Sequence, residues 1–147
     1  MSAAIFEWHD LLGFDDIAIG RKQVATRKVT AADLDAFARL SGDLNPLHMD
    51  QEFAVHSPFG QRVAHGILTA AVVSMAHTAL TGPGFAYVGQ ELRFLGPVFI
   101  DDSITVEVTV VGKKDAKRIL IMDTMVRKQT GEAVLSGLSA LKELRFA

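Results

Sequence analysis

Apolar residues follow two different spacings along this chain. Residues 30–41 carry apolar side chains at intervals of three and four, and residues 65–80 are apolar or small nearly all the way round a helix. After residue 85, Val, Ile and Leu alternate with polar residues. The first spacing predicts helices, of which the one at about 65–80 should be buried on every side, and the second predicts half-buried strands.

The first predicted helix has clear boundary residues. Thr30, three residues before an acidic side chain, is typical of a capping box at its start. Gly42 lies where a left-handed residue would end it. Asn45 precedes a proline, which disfavours the helical region for Asn45. We therefore predict that 43–48 is a loop, followed by a short helix that Asp50 caps.

Five strands are predicted from the alternation and from the turn residues that separate the later ones. Strands that follow one another through short turns are antiparallel. An antiparallel sheet and one wholly buried helix give an α+β domain, in which the sheet wraps around the helix. The predicted strands cover 19–29, 86–94, 103–110, 118–127 and 133–144, with turns at 96–97, 112–113 and 130–131.

The composition limits the classes of function. At 147 residues the chain is predicted to be a single domain, residues 1–147. Its net charge of −2 and pI near 6.2 argue against a nucleic-acid partner. The absence of Cys excludes thiolate metal sites and a Cys nucleophile. The start of the chain lacks signal-peptide features, and the longest apolar stretch is shorter than the ~20 residues that span a bilayer. We expect a soluble, cytoplasmic protein without a membrane partner.

An acid and an imidazole lie close together in the predicted loop. Asp43 and His48 are five positions apart, and Asn45-Pro46 between them keeps the segment out of a regular helix. Taken singly, Asp43 is typical of an Asx turn and His48 of a structural loop residue. Together they offer one group that accepts a proton and one that donates it, which indicates general acid–base chemistry.

Gly66 opens the long helix and is a candidate for holding a developing negative charge. A backbone N–H at a helix N-terminus has no intrahelical partner and lies at the positive end of the helix dipole. The alternative is that Gly66 only allows close packing at the helix start. Ser74 lies two turns further along the same helix, and by itself it is most simply a small buried residue.

The remaining histidines and a metal site are weaker candidates. His65 is interpreted as a helix cap or a residue behind the site, and His9, His56 and His77 as structural. A metal held by Asp43, His48 and Asp50 would lack the close His spacing of zinc enzymes, so no metal site is predicted.

The segment from Phe37 to His48 resembles the hydratase-2 motif of the MaoC-like (R)-specific enoyl-CoA hydratases. In that family an aromatic residue, a small residue and Gly precede Asp-x-Asn-Pro-aliphatic-His, and here Asp43-Leu44-Asn45-Pro46-Leu47-His48 matches in full. The His65-Gly66 step and the segment 87–98 are also similar. The likeness runs from about residue 19 to residue 144.

This resemblance implies a hot dog fold, in which an antiparallel sheet wraps around a long central helix. It also implies a homodimer and the reversible syn addition of water to a trans-2-enoyl thioester, giving the (R)-3-hydroxyacyl product. In the implied site, Asp43, His48 and Gly66 are catalytic, and Asn45, His65 and Ser74 bind substrate or orient the loop. No cofactor is required, since the CoA or carrier-protein arm belongs to the substrate.

Three alternatives remain open from the sequence. The same residues would serve a 3-hydroxyacyl-carrier-protein dehydratase of fatty-acid synthesis. A hot dog thioesterase is less favoured by the motif, and a non-catalytic subunit that binds acyl thioesters belongs to a different class. Which cations meet substrate phosphates is also open, and the candidates are Lys22, Arg62, Arg93, Lys113 and Arg118.

Overall fold

The computed structural model describes residues 11–147 and has helices in the first half of the chain and strands mostly in the second. The predicted α+β class is confirmed, whereas the first ten residues, interpreted as an arm or short helix, lie outside the described residues. The elements are β1 (Lys22–Lys28), α1 (Ala31–Ser41), α2 (Pro46–Met49), α3 (Gln51–Val55), α4 (Gly66–Thr81), β2 (Phe85–Phe94), β3 (Ser103–Lys114), β4 (Ile119–Lys128) and β5 (Ala133–Glu143).

The five strands form one antiparallel sheet in the order β1-β3-β4-β5-β2. The β3–β4 and β4–β5 pairs are hairpins, as the short connections predict. β2 pairs with β5 instead of β3, so residues 95–102 carry the chain across the sheet. β1 and β2 are therefore the two edge strands.

The core lies between α4 and one face of the sheet. Ile104, Val106, Val108 and Val110 of β3 are all buried, which confirms the predicted alternation on that strand. Val73, Ala76 and Leu80 of α4 join the same apolar cluster. Within residues 11–147, no helix is both long enough and apolar enough to cross a membrane.

The prediction that the long helix is buried on every side is wrong for the single chain. The sheet covers only one face of α4, and on the other face Ile67 and Met75 are 55% and 45% exposed. Ala71, Ser74 and Thr78 are exposed on that side as well. The sheet of one chain therefore cannot bury all the apolar side chains of α4.

Three local predictions are also wrong. The predicted loop 43–48 ends in helix α2, because Pro46 at its first position is pre-set for a helix start. The predicted turn at 112–113 lies inside β3, where Val111 is skipped in the pairing with β4 and Gly112 pairs with Ile121. The chain turns later, at Asp115–Lys117. The first strand is also shorter than predicted, since only Lys22–Lys28 pairs with β3.

A buried polar pair links α4 to the sheet. His77 Nε2 lies 2.8 Å from Ser139 Oγ of β5, and both side chains are buried. His77 Nδ1 has no hydrogen-bond partner among residues 11–147. Burial lowers the pKa of His77 to about 4, from an ordinary value of 6.5, because a charged imidazole would lose its hydration here.

We predict that His77 lowers the stability of the fold on acidification already at pH values above those at which carboxylates titrate. Between pH 7 and 5 the unfolded chain protonates His77 while the folded chain does not, so stability falls as pH falls, by up to about 2 kcal/mol. His77→Gln should reduce this loss, as measured by urea unfolding at fixed protein concentration. His56→Gln, at an exposed histidine, is the control and should keep the wild-type slope. Equal slopes in wild type and His77→Gln would contradict the prediction.

Candidate active site

The end of α1 and the turn after it fix the backbone of Asp43. Gly42 ends α1 in the left-handed region, with φ of 76°. The Asp43 N–H donates to Ser41 Oγ at 3.1 Å, and Asp43 Oδ1 accepts from the Asn45 N–H at 3.2 Å. This is the Asx turn considered from the sequence. It engages only one carboxylate oxygen of an exposed side chain, so Asp43 keeps the capacity to accept further hydrogen bonds.

Asn45 starts the short helix that carries the imidazole. Its Oδ1 accepts from the Leu47 N–H at 3.0 Å, and its carbonyl accepts from the His48 N–H at 2.9 Å. An Asn cap followed by Pro at the first helical position makes even one helical turn favourable here. These contacts set the direction in which His48 leaves the backbone.

The ring of His48 is held by a carbonyl from a distant part of the chain. His48 Nδ1 donates to the Val63 carbonyl oxygen at 2.7 Å. A carbonyl oxygen can only accept, so the neutral ring carries its hydrogen on Nδ1. Nε2 is then the unprotonated nitrogen, and the half-buried His48 is prepared to accept a proton there.

His65 lies behind His48 and joins the loop to α4. Its ring stacks on the His48 ring with centroids 3.9 Å apart, and its Nε2 donates to the Asp43 carbonyl oxygen at 3.1 Å. Phe37 packs on its other side, at 4.8 Å. His65 is buried, and its Nδ1 has no hydrogen-bond partner in the described part of the chain. One His65 nitrogen is therefore used to hold the loop, and the other is buried.

A carboxylate oxygen of Asp43 and one ring nitrogen each of His48 and His65 lie within 4.8 Å of one another. A water that bonds two groups at ~2.8 Å spans about 4.5 Å between them, so this spacing suits a shared water. Metal ligation would need contacts near 2.0–2.2 Å from convergent lone pairs. His48 Nδ1 and His65 Nε2 already bind carbonyl oxygens, so each ring has only one nitrogen left for a ligand.

A cavity of about 490 Å³ opens beside this cluster. His48 and Gly66 line it, whereas Asp43, Asn45, His65 and Ser74 do not. Asp43 belongs to the same cluster as His48, which lines the cavity, and Ser74 is on the exposed face of α4. The lining residues are mostly apolar: Leu47, His48, Phe59, Val63, Ala64, Gly66, Ile67, Thr69, Phe94, Leu95, Gly96, Pro97, Val98 and Val134.

Gly66 lies under an aromatic ring at the cavity wall. It is the first residue of α4, and a Cβ added there would lie 2.8 Å from a carbon of the Phe94 ring. Gly66 therefore does allow close packing at the start of the helix, which was the alternative interpretation of this glycine. This packing is compatible with an open N–H, because the same absence of a side chain that admits Phe94 also leaves the backbone accessible.

The sequence did not indicate several residues that shape this site. Val63 was assigned no role, Phe94 belonged only to the predicted strand 86–94, and Arg62 was considered only for phosphate binding. Phe59 also lines the cavity, whereas Phe53, Leu68 and Val72 do not. The alternation of β2 gave no sign that the Phe94 ring packs on Gly66, and no short-range signal could have paired Val63 with His48.

A family profile described as a MaoC like domain matches residues 16–132. The chain belongs to the MaoC-like dehydratase family. The (R)-specific enoyl-CoA hydratase of Aeromonas caviae is 36% identical over 127 residues, which cover 86% of this chain and 95% of that protein. The 3-hydroxybutyryl-CoA dehydratase of Methylorubrum extorquens is 40% identical over 101 residues, which cover 68% of this chain and 64% of that protein. This chain thus spans less than two thirds of the second MaoC-like relative.

Solved structures agree with this placement. The unliganded R-hydratase PhaJ1 of Pseudomonas aeruginosa superposes on this MaoC-like chain with a TM-score of 0.84 at 34% identity, covering 92% of this chain and 91% of that one. The predicted family and hot dog fold are confirmed. The dehydratase and hydratase relatives also indicate a hydro-lyase, as the Asp-x-Asn-Pro-x-His motif predicted.

Proposed function

We propose that this MaoC-like protein is an (R)-specific enoyl-CoA hydratase, which adds water reversibly and syn to a trans-2-enoyl thioester. One observation carries the proposal: the Nδ1 bond of His48 to Val63 leaves Nε2 unprotonated on a ring that clusters with the Asp43 carboxylate and lines the same cavity as Gly66. The hydratase and dehydratase names of the relatives support it.

Gly66 supplies the electrostatic part of the mechanism. The thioester carbonyl withdraws electrons from the double bond, which makes C3 open to attack and places negative charge on the carbonyl oxygen. The Gly66 N–H, at the first position of the sixteen-residue helix α4, donates to that oxygen with the helix dipole behind it. This donor strengthens its bond as the enolate-like charge develops, so it stabilises the transition state more than the ground state.

Asp43 and His48 supply the proton transfers. Water held between the two side chains attacks C3 while His48 Nε2 takes one of its protons. That proton returns through Asp43 to C2 on the same face, so one water is added and the dyad regains its starting state. The two groups act as a coupled unit, and the fixed tautomer favours His48 as the base.

The proposed activity is tested by following the enoyl absorbance of crotonyl-CoA and longer 2-enoyl-CoA thioesters. We expect the absorbance to fall and chiral analysis to give the (R)-3-hydroxyacyl product. Matched carrier-protein thioesters test the dehydratase alternative, which predicts faster turnover of those substrates. Binding of crotonyl-CoA without any change in absorbance would contradict an enzymatic role, and release of free thiol would indicate a thioesterase.

We predict that Asp43→Asn or His48→Gln lowers the hydration rate by about 10²–10⁴, because each removes one acid–base group. Both substitutions nearly preserve side-chain volume, so thermal unfolding should remain close to wild type. The control is His56→Gln, an exposed histidine outside the cavity lining, which should retain full activity. Near-normal turnover by either dyad variant would exclude the dyad mechanism.

We also propose that the protein is a homodimer joined through β2 and the exposed face of α4. Among residues 11–147, β2 pairs only with β5, and an unpaired edge favours addition of another strand. Tyr87 and Val88 on this edge are exposed, as are Ile67 and Met75 on α4. A second copy would bury all four and would enclose the nearby cavity. The cytoplasmic location expected from the sequence is likewise a proposal, testable by cell fractionation.

The dimer predicts a particle of twice the chain mass of 15.9 kDa in sedimentation experiments. Met75→Glu should shift this particle towards the monomer and lower hydration activity, since it places a charge on the apolar face. Ile19→Glu, at an apolar residue that is 62% exposed elsewhere, should remain dimeric. A monomeric wild type at micromolar concentration would exclude the dimer.

A further inference from the structure

The short helix α2 ends with carbonyl groups that lack helical partners, and a distant segment supplies donors for them. The last carbonyls of any helix need such partners. The Leu47 carbonyl accepts from the Val63 N–H at 3.4 Å. The His48 carbonyl accepts from Arg62 Nε at 2.6 Å, a short bond strengthened by the charge of the guanidinium.

The same two residues hold both ends of His48. Val63 accepts from the ring at Nδ1, and Arg62 donates to the backbone carbonyl. Fixing a side chain at its ring and at its own peptide group leaves little freedom about the torsions between them. The orientation of His48 Nε2 thus depends on where Arg62 and Val63 lie.

Arg62 is itself anchored on another helix. Its Nη2 donates to Asp35 Oδ1 of α1 at 3.1 Å, and its backbone N–H donates to Gln51 Oε1 at 3.3 Å. The Arg62 side chain is 15% exposed and that of Asp35 is 50% exposed. A guanidinium can bridge two acceptors in a fixed planar geometry, whereas a lysine ammonium would act as a single mobile charge.

We propose that Arg62, anchored by Asp35, is a positioning residue that sets His48 for proton transfer and does not bind substrate phosphate. This assignment rests on the proposed hydratase function for its kinetic test. Nε and Nη2, which could otherwise form a paired contact with a phosphate, each already donate to a protein oxygen, and the side chain is only 15% exposed. Arg62 belongs to the cations considered for phosphate binding from the sequence, and the structure assigns it this different task.

The kinetic test compares Arg62→Lys with wild type on crotonyl-CoA and on crotonyl-pantetheine, which lacks the nucleotide phosphates. We expect kcat to fall by about 10- to 100-fold with both thioesters at nearly constant KM, because a small displacement of a catalytic group costs about that much in rate. Asp35→Asn should give a smaller fall of the same kind. Arg127→Lys, an exposed arginine that bonds the Gly131 carbonyl, is the matched control.

Two kinetic outcomes would overturn the proposal. A rise in KM confined to crotonyl-CoA would make Arg62 a phosphate ligand, and unchanged kinetics in both Arg62→Lys and Asp35→Asn would leave it no role. Thermal unfolding of each variant separates these outcomes from loss of the fold. If Arg62→Lys fails to fold, the kinetics of Asp35→Asn alone test the proposal, because this variant removes the anchor of Arg62 and keeps its guanidinium.

A second readout does not require turnover. Nitrogen chemical shifts of the His48 ring, assigned by their loss in His48→Gln, report which nitrogen carries the hydrogen. Wild type should show the Nδ1-protonated form, and Arg62→Lys should show a mixture of the two tautomers. If the wild type is inactive but Arg62→Lys still changes the tautomer, the proposed hydratase function is refuted and the positioning role of Arg62 stands. An unchanged tautomer in Arg62→Lys would refute the positioning role.

Discussion

The hydrogen bond from the His48 ring to the Val63 carbonyl connects the two parts of the chain from which the site is built. On one side are α1, the Asx turn and α2; on the other is the segment that leads into α4. The bond fixes the tautomer of His48 and brings α2 against the segment that leads into Gly66. The relative position of the proposed proton-transfer groups and the proposed oxyanion donor therefore depends on this contact.

The long helix has two tasks that require opposite surroundings. Its inner face packs on the sheet, with Val73, Ala76 and Leu80 in the core. In the proposed mechanism its first residue stays open to the substrate carbonyl, which the glycine permits. Its outer face carries apolar side chains that one chain leaves exposed, and the proposed dimer would bury them. Under these proposals the sequence of the helix serves both the fold of one chain and a surface for another.

Features set by local interactions could be predicted from the sequence, and features set by distant contacts could not. The Thr30 cap, the Gly42 end and the alternation of β3 involve residues within a few positions of one another, and each was predicted. The Asp43–His48 pair was also local. Val63 binds His48 from fifteen positions away, and Phe94 of β2 packs on Gly66 of α4, so no short-range pattern indicated either contact. Gly112 resembled a turn residue because a bulge and a turn both favour glycine.

The two stacked histidines show why residue type alone could not assign roles in this site. His48 and His65 are the same residue with ring centroids 3.9 Å apart, yet their hydrogen bonds differ. His48 uses Nδ1 to bind a carbonyl and keeps Nε2 available. His65 uses Nε2 to bind the Asp43 carbonyl, and its remaining nitrogen is buried. The direction of one backbone carbonyl at each ring therefore makes one imidazole a candidate base and the other a support for the loop.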